Sequence, residues 1–320
     1  MESTIHKILE DLGYKGSKIT LLAGDASTRK YYRIEHSGKH FILMKGDPFV
    51  DNDPNVLSLN AYMGMGIRVP EIYKTLPEKG IVIQEDIGDQ HLQNITNKQE
   101  LGKYYEEVVS ILVKFQRKAF EYERNKTDIY PLRIKFTHEK FMSELNMTSE
   151  FYISGYKNIQ LTGPKTKKIQ EVYQGLVDRM MEQPFLLQHR DYHSRNLMVH
   201  NGLIYVIDLQ DSRLGPFTYD VASLIIDPYI SLDDELCEKI IRSYYTGISD
   251  IVNCSYDEYL TYYDLCFLQR GIKILGTFAY QKIKKDNASY LKYIPGSLEK
   301  IKKVLRAFPE WNNIISEEIL

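Results

Sequence analysis

The chain has 320 residues, is 43% hydrophobic and 26% charged, and carries a net charge of −2. That composition is ordinary for a globular protein, and the length suffices for two lobes with separate cores. The near-neutral charge gives no reason to expect nucleic acid or an anionic membrane surface as a partner.

Residues 3–12 read as a short amphipathic helix with Ile5, Ile8, Leu9 and Leu12 on one face. Met1–Gly13 lacks the hydrophobic centre of a secretory signal, and no later apolar run approaches bilayer length. Four short runs with turn residues between them then read as strands: Ile19–Ala23, Lys30–Glu35, His40–Lys45 and Gly80–Gln84. One helix interrupts them at about Asn55–Met65. The period changes near Gly88 and Asp89. From Lys98 to Phe120, Leu101, Tyr105, Val108, Leu112 and Phe115 recur at steps of three and four, the mark of a long amphipathic helix. After Thr137 the chain reads as mainly helical apart from one hairpin. The expected class is α+β: a small antiparallel-sheet lobe over 1–88 and a larger, mainly helical lobe over 89–320. Cys237, Cys254 and Cys266 are odd in number and lack CxxC spacing, so they read as reduced thiols, with the cytoplasm as the expected location.

The hairpin carries the chemistry. Leu197–His200 and Leu203–Ile207 are apolar runs joined by Asn201-Gly202, a strong signal for a two-residue turn. A turn centred there sets residue 196 opposite 207 and residue 195 opposite 208, which brings Asn196 and Asp208 to the open end of the ribbon. Strict alternation would point them to opposite faces, so sharing an ion requires the strands to end or kink at that point. Magnesium takes hard oxygen ligands, commonly one or two carboxylates plus substrate phosphates, and a carboxylate with an amide oxygen suits it. Asp191, in the polar loop before the hairpin, is then left to accept a proton from a substrate hydroxyl. The plainer reading is an Asp-rich surface hairpin with a capping Asn. His189-Arg190-Asp191 followed by Asn196 matches the catalytic-loop spacing of kinases, and that ordered set favours phosphoryl transfer. His189 and His193 are four apart but lack the HExxH pattern, and they read as loop residues.

This block resembles the catalytic and metal loops of the protein-kinase-like small-molecule kinases, the aminoglycoside and choline phosphotransferase group. Leu209-Gln210-Asp211, Gly215-Pro216 and Tyr219–Leu224 look most like the anomeric N-acetylmuramate and N-acetylglucosamine kinases of peptidoglycan recycling. Gly24–Arg33 and the late group Gln269, Arg270, Lys273, Gly276 and Phe278 support that narrower likeness. The resemblance runs from about residue 20 to about 280. It implies a two-lobed protein-kinase-like fold, ATP and Mg2+ as cofactors, and a small-molecule acceptor, with no obligate protein partner.

On the same resemblance Asp191 is the catalytic base, while Asn196 and Asp208 are the metal ligands. Ser27 and Thr28, in the loop Gly24–Thr28, would face the ATP phosphates, although an ordinary hairpin turn explains that loop equally well. Lys45 would reach the phosphates from a strand end, or it is simply a solvated lysine. The expected helix after it offers no Glu to pair with it. Glu85 and Ile87 would meet adenine through their peptide groups. Asp220 looks like the helix-start acid that braces the catalytic loop. Arg195 and Asp211 flank the site and would touch the sugar or the transferred phosphate, or else form surface ion pairs. Gln269–Phe278 reads more readily as a core helix than as a sugar site, with Lys273 the residue there that invites a test. An aminoglycoside, choline or another metabolite remains an alternative acceptor. A non-catalytic regulator that keeps the kinase fold is the reading from a different class.

Overall fold

In the computed structural model, which describes residues 2–22, 29–49 and 53–320, helix α1 (Glu2–Asp11) is followed by strands β1 (Lys18–Leu21), β2 (Lys30–His36) and β3 (Lys39–Lys45). Helix α2 (Pro54–Gly64) and strands β4 (Ile72–Leu76) and β5 (Ile81–Glu85) come next. The chain continues through α3 (Lys98–Arg124), α4 (His138–Met147), a π-helical stretch Thr148–Tyr156, α5 (Gly163–Met181) and β6 (Phe185–Gln188). Strands β7 (Leu197–His200), β8 (Leu203–Val206) and β9 (Arg213–Pro216) precede α6 (Tyr219–Ile226), α7 (Asp234–Val252), α8 (Tyr256–Lys285), α9 (Ile294–Leu305) and α10 (Pro309–Glu318). Among the described residues no helix is long and apolar enough to cross a membrane. Ser27 and Thr28 lie outside the described residues.

The chain divides into two compact units. The first holds Met1–Gln90 and Met198–Gln210; the second holds His91–Leu197 and Asp211–Leu320. In the first, five antiparallel strands pair in the order β1-β2-β3-β5-β4. Ile5, Ile8 and Leu9 of α1 pack on one face of this sheet, against Tyr32 and Ile34, Phe41 and Leu43, and Ile81 and Ile83. Alternate positions on three neighbouring strands thus supply a single apolar surface. Ile42 and Met44 between them are buried as well, so β3 is covered on both faces. Helix α2 starts where it does because Asp53 accepts the backbone N–H groups of Asn55 (2.9 Å) and Val56 (3.2 Å), with Pro54 in the first turn. Strand β4 is absent from the reading of the sequence. It is an edge strand of mixed exposure with an irregularity between Ile72 and Lys74, so no clean alternation marks it.

Strands β7 and β8 form the expected hairpin. Asn201 (φ +51°) and Gly202 (φ +74°) both take the left-handed conformation that a type I′ turn demands. The Val199 N–H donates to the Gln90 carbonyl (2.7 Å) and the Val206 N–H to the Arg68 carbonyl (2.9 Å), which ties the ribbon into the first unit.

The second unit is mainly helical. Its small β6–β9 pair escaped the sequence reading because, unlike the equally short β7 and β8, these strands are not joined by a turn signal. Helix α3 has its Asn97 cap and runs to Arg124, beyond the expected end at Phe120. Every residue of α6 is buried, and α8 packs against it, against α4 and α9, and against the π-helical stretch. Two glycines set how closely α8 approaches. A Cβ on Gly271 would fall 2.6 Å from Ile301 Cγ1, and one on Gly276 would fall 2.6 Å from Thr148 Oγ1.

Candidate active site

The loop Gln188–Asn196 leads from β6 to β7, and it is held almost entirely by buried groups. Asp220 Oδ2 accepts the His189 N–H (2.6 Å) and Oδ1 the Arg190 N–H (3.0 Å). Burial raises the Asp220 carboxyl to about 6, a shift that His189 and the two peptide N–H groups partly oppose. Asp227, just past the other end of α6, accepts the Ser194 N–H at 2.7 Å. Tyr192 turns inward, donates to the Val108 carbonyl (2.8 Å) and meets Phe115 edge-on. Arg190 has φ +82°, a conformation a non-glycine residue keeps only where its surroundings enforce it.

Between these anchors Asp191 keeps a side chain 33% exposed. Desolvation opposes its ionisation. Lys273, Arg190, Arg270 and His193 outweigh that effect and hold the carboxyl well below the usual carboxylate range. Arg270 Nη1 lies 3.6 Å from Asp191 Oδ1 and also donates to the Arg190 carbonyl (2.8 Å) and the Tyr219 hydroxyl (2.9 Å). The Asn196 side-chain N–H donates to the Asp191 carbonyl at 2.9 Å, which fixes the amide plane beside Asp191. His193 is half-buried beside Asp227 and meets Tyr229 edge-on, while His189 Nδ1 accepts the Asp191 N–H (3.3 Å), so both histidines support the loop.

The flanking candidates have defined surroundings. Asp211 pairs with Arg190 (3.0 Å) and Arg213 (2.9 Å). The Arg195 guanidinium lies 3.7 Å from the Tyr229 ring centroid and donates to Gln93 Oε1 (3.1 Å) and the Tyr290 hydroxyl (3.4 Å).

Behind Asp191 stands a group the sequence reading did not name. Glu144 of α4, only 3% exposed, lies 3.2 Å from Arg190, 3.5 Å from Lys140 and 3.6 Å from Lys273. A lone Glu between Phe141 and Leu145 looks like an ordinary helix residue, and only its place on a buried stripe hints otherwise. Burial lowers Lys273 to about 8, against the pull of Glu144 and Asp191.

In the first unit Lys45 ends β3 opposite Ile81, and its ammonium donates to the Gly46 carbonyl. Helix α2 carries no acid. The Glu85 N–H donates to the Glu71 carbonyl (2.8 Å), and Ile87 is buried two residues on. Arg33 clamps the segment that follows β5. It makes two bonds to Asp86 (2.6 and 2.9 Å) and two to Asp89 (2.6 and 2.8 Å). Asp208 follows β8 with φ +66°, so the chain kinks there, and its carboxylate accepts from the Gln210 amide at 2.6 Å.

A model of the phosphotransferase enzyme family designated APH matches residues 18–250. The chain belongs to this family. It is similar to the N-acetylmuramate/N-acetylglucosamine kinase of Pseudomonas putida, 28% identical over 298 residues that span 91% of this chain and 85% of that one. The enzyme of the same name from Neisseria meningitidis serogroup B is 24% identical over 302 residues, covering 91% of this chain and 87% of its own. Among solved structures, the choline kinase of Cryptosporidium parvum superposes with a TM-score of 0.66 at 15% identity, covering 98% of this chain and 100% of that one. At that identity the likeness establishes the fold, which is that of the protein-kinase-like phosphotransferases. The family member described here is a phosphotransferase whose relatives are kinases.

Proposed function

We propose that the chain transfers the γ-phosphoryl group of ATP, with magnesium, to the anomeric hydroxyl of N-acetylmuramate or N-acetylglucosamine. The observation that carries the reading is Asp191 itself, ionised by three neighbouring cations on a loop whose backbone is pinned by two buried carboxylates. Phosphoryl transfer asks a protein mainly for such positioning. The choice of acceptor is supported by relatives that align over nine-tenths of the chain and bear those two sugars in their name.

In this reading the acceptor oxygen attacks the γ-phosphorus, its proton passes to Asp191, the bond to the β-phosphate breaks and ADP leaves. Asn196 and Asp208, the pair named by the sequence spacing, supply an amide and a carboxylate oxygen, a hard donor set that fits magnesium. The chemistry magnesium supplies is neutralisation of charge on the nucleotide phosphates. Ser27, Thr28 and Lys45 serve those phosphates, and the peptide groups of Glu85 and Ile87 serve adenine. Arg195 and Asp211 border the acceptor. Three free thiols fit a cytoplasmic setting.

The test is ADP release with Mg-ATP across N-acetylmuramate, N-acetylglucosamine, choline and an aminoglycoside, with the phosphorylated position read by NMR. The two amino sugars are expected to turn over with phosphate at the anomeric carbon. Preferred turnover of choline or the aminoglycoside would remove the sugar reading and leave the kinase.

A further inference from the structure

Helix α8 places Gln269, Arg270 and Lys273 within one turn of each other, the spacing of neighbours on a helical face. Around them the charges do not balance. Arg190, Arg270, Lys273 and Lys140 face two carboxylates, Glu144 and Asp191, while Asp211 is matched by Arg213 as well as by Arg190. Glu144 is shared by three cations and the Gln269 amide at 3.2 to 3.6 Å. These separations exceed the about 2.7–2.9 Å of a direct charged hydrogen bond, so no one cation is fully satisfied by it.

A second observation is independent of charge. Among the described residues the Nε groups of Arg190 and Arg270 and the Oε1 of Gln269 are buried without a hydrogen-bond partner. Buried polar atoms of a native site ordinarily find a partner in protein, water or ligand. Lys273 retains 16% exposure and Asp191 33%, so this cationic group reaches solvent beside the base.

We propose that Lys273, supported by Arg270, recognises an anionic substituent on the acceptor, and that this makes the site selective for a carboxylate-bearing amino sugar over a neutral one. The inference rests on the sugar-kinase reading above. A cationic acceptor such as choline calls for the opposite, a pocket lined by acids. The excess of positive charge here disfavours choline and rewards a carboxylate. Glu144 acts as the internal counter-ion that keeps the cations in place until the acceptor arrives. The competing use of the same cations is on the transferred phosphoryl group, which every acceptor shares.

N-acetylmuramate and N-acetylglucosamine separate these uses, because they differ by a lactyl ether that carries a carboxylate. Steady-state kinetics of the wild type, Lys273→Met, Lys273→Gln and Lys273→Arg on both sugars decide the matter. Removing the charge is expected to raise KM for N-acetylmuramate by roughly tenfold or more, the effect of one charged hydrogen bond. Because Lys273 also helps to keep Asp191 ionised, kcat is expected to fall by the same factor on both sugars, KM for N-acetylglucosamine should stay within about twofold, and Lys273→Arg should retain the discrimination. A fall in kcat on both sugars with the ratio of the two KM values unchanged would overturn the proposal in favour of a role on the phosphoryl group. Unchanged kinetics on both would overturn it too. Lys273→Gln keeps the test open if the Met variant does not fold. The wild type turning over neither sugar would remove the sugar-kinase reading and this inference with it, whereas active but indifferent variants remove this inference alone.

Discussion

Asp227 accepts the backbone N–H of Ser194 at 2.7 Å from the far end of the helix that begins beside Asp220. One short helix thus carries a carboxylate at each end, and both grip the loop that presents Asp191. Asp227→Ala leaves the Ser194 N–H buried and unpaired, and is expected to cost about 1–3 kcal/mol in denaturant unfolding. Asp227→Asn keeps an acceptor oxygen and should cost less. Equal stability of the Ala variant and the wild type would show that this carboxylate does not hold the loop.

Asp191→Asn removes the proton acceptor while keeping the side chain's size. Turnover should fall by about two to four orders of magnitude with nucleotide affinity nearly intact. Near-normal turnover would sink the assignment of the base. Asp208→Ala should instead abolish magnesium-dependent ATP binding, read as a lost thermal shift with Mg-ATP.

Arg33→Met strips both carboxylates of their shared guanidinium and leaves Asp86, whose side chain is 8% exposed, without it. A loss of about 2–3 kcal/mol is expected, toward the lower end for buried ion pairs because Arg33 itself is partly exposed. The KM for ATP should rise as well, since the clamped segment contains the peptide groups assigned to adenine. If stability falls while that KM is unchanged, the adenine assignment fails.

Asp264 on α8 gives a pH signature away from the site. Burial raises its carboxyl from 3.8 to about 6. A folded pKa above the unfolded one contributes stability that is present below about pH 4 and lost as pH rises through 6. Asp264→Asn removes that loss. After a discount for partial exposure, the variant should gain about 2 kcal/mol over wild type at pH 8 and nothing at pH 4. A gain that is the same at both pH values would refute this origin.

Much of the frame could be read from the residues. The α1 stripe, the alternation in β2 and β3, and the Asn201-Gly202 turn each rest on local chemistry, and each element stands where that chemistry puts it. The kinase-like fold was likewise legible, through the resemblance carried by the ordered block from His189 to Asp208. What escaped depends on distant partners. Glu144 gains its significance only when α4 meets α8, and nothing in its own neighbourhood announces that meeting. Asp227 looks like a residue past a helix end until Ser194 is seen on it. Strands β6 and β9 are separated by the whole β7–β8 hairpin with no turn between them to mark the pairing, and they owe their form to each other.

Because α6 is buried throughout and its two flanking carboxylates hold the amides of His189, Arg190 and Ser194, those three protons should exchange with solvent as slowly as the core itself. The loop that carries Asp191 then has no private opening motion. Any step of the catalytic cycle that needs the protein to move must be taken by other segments, and the rate of that movement will be set by them.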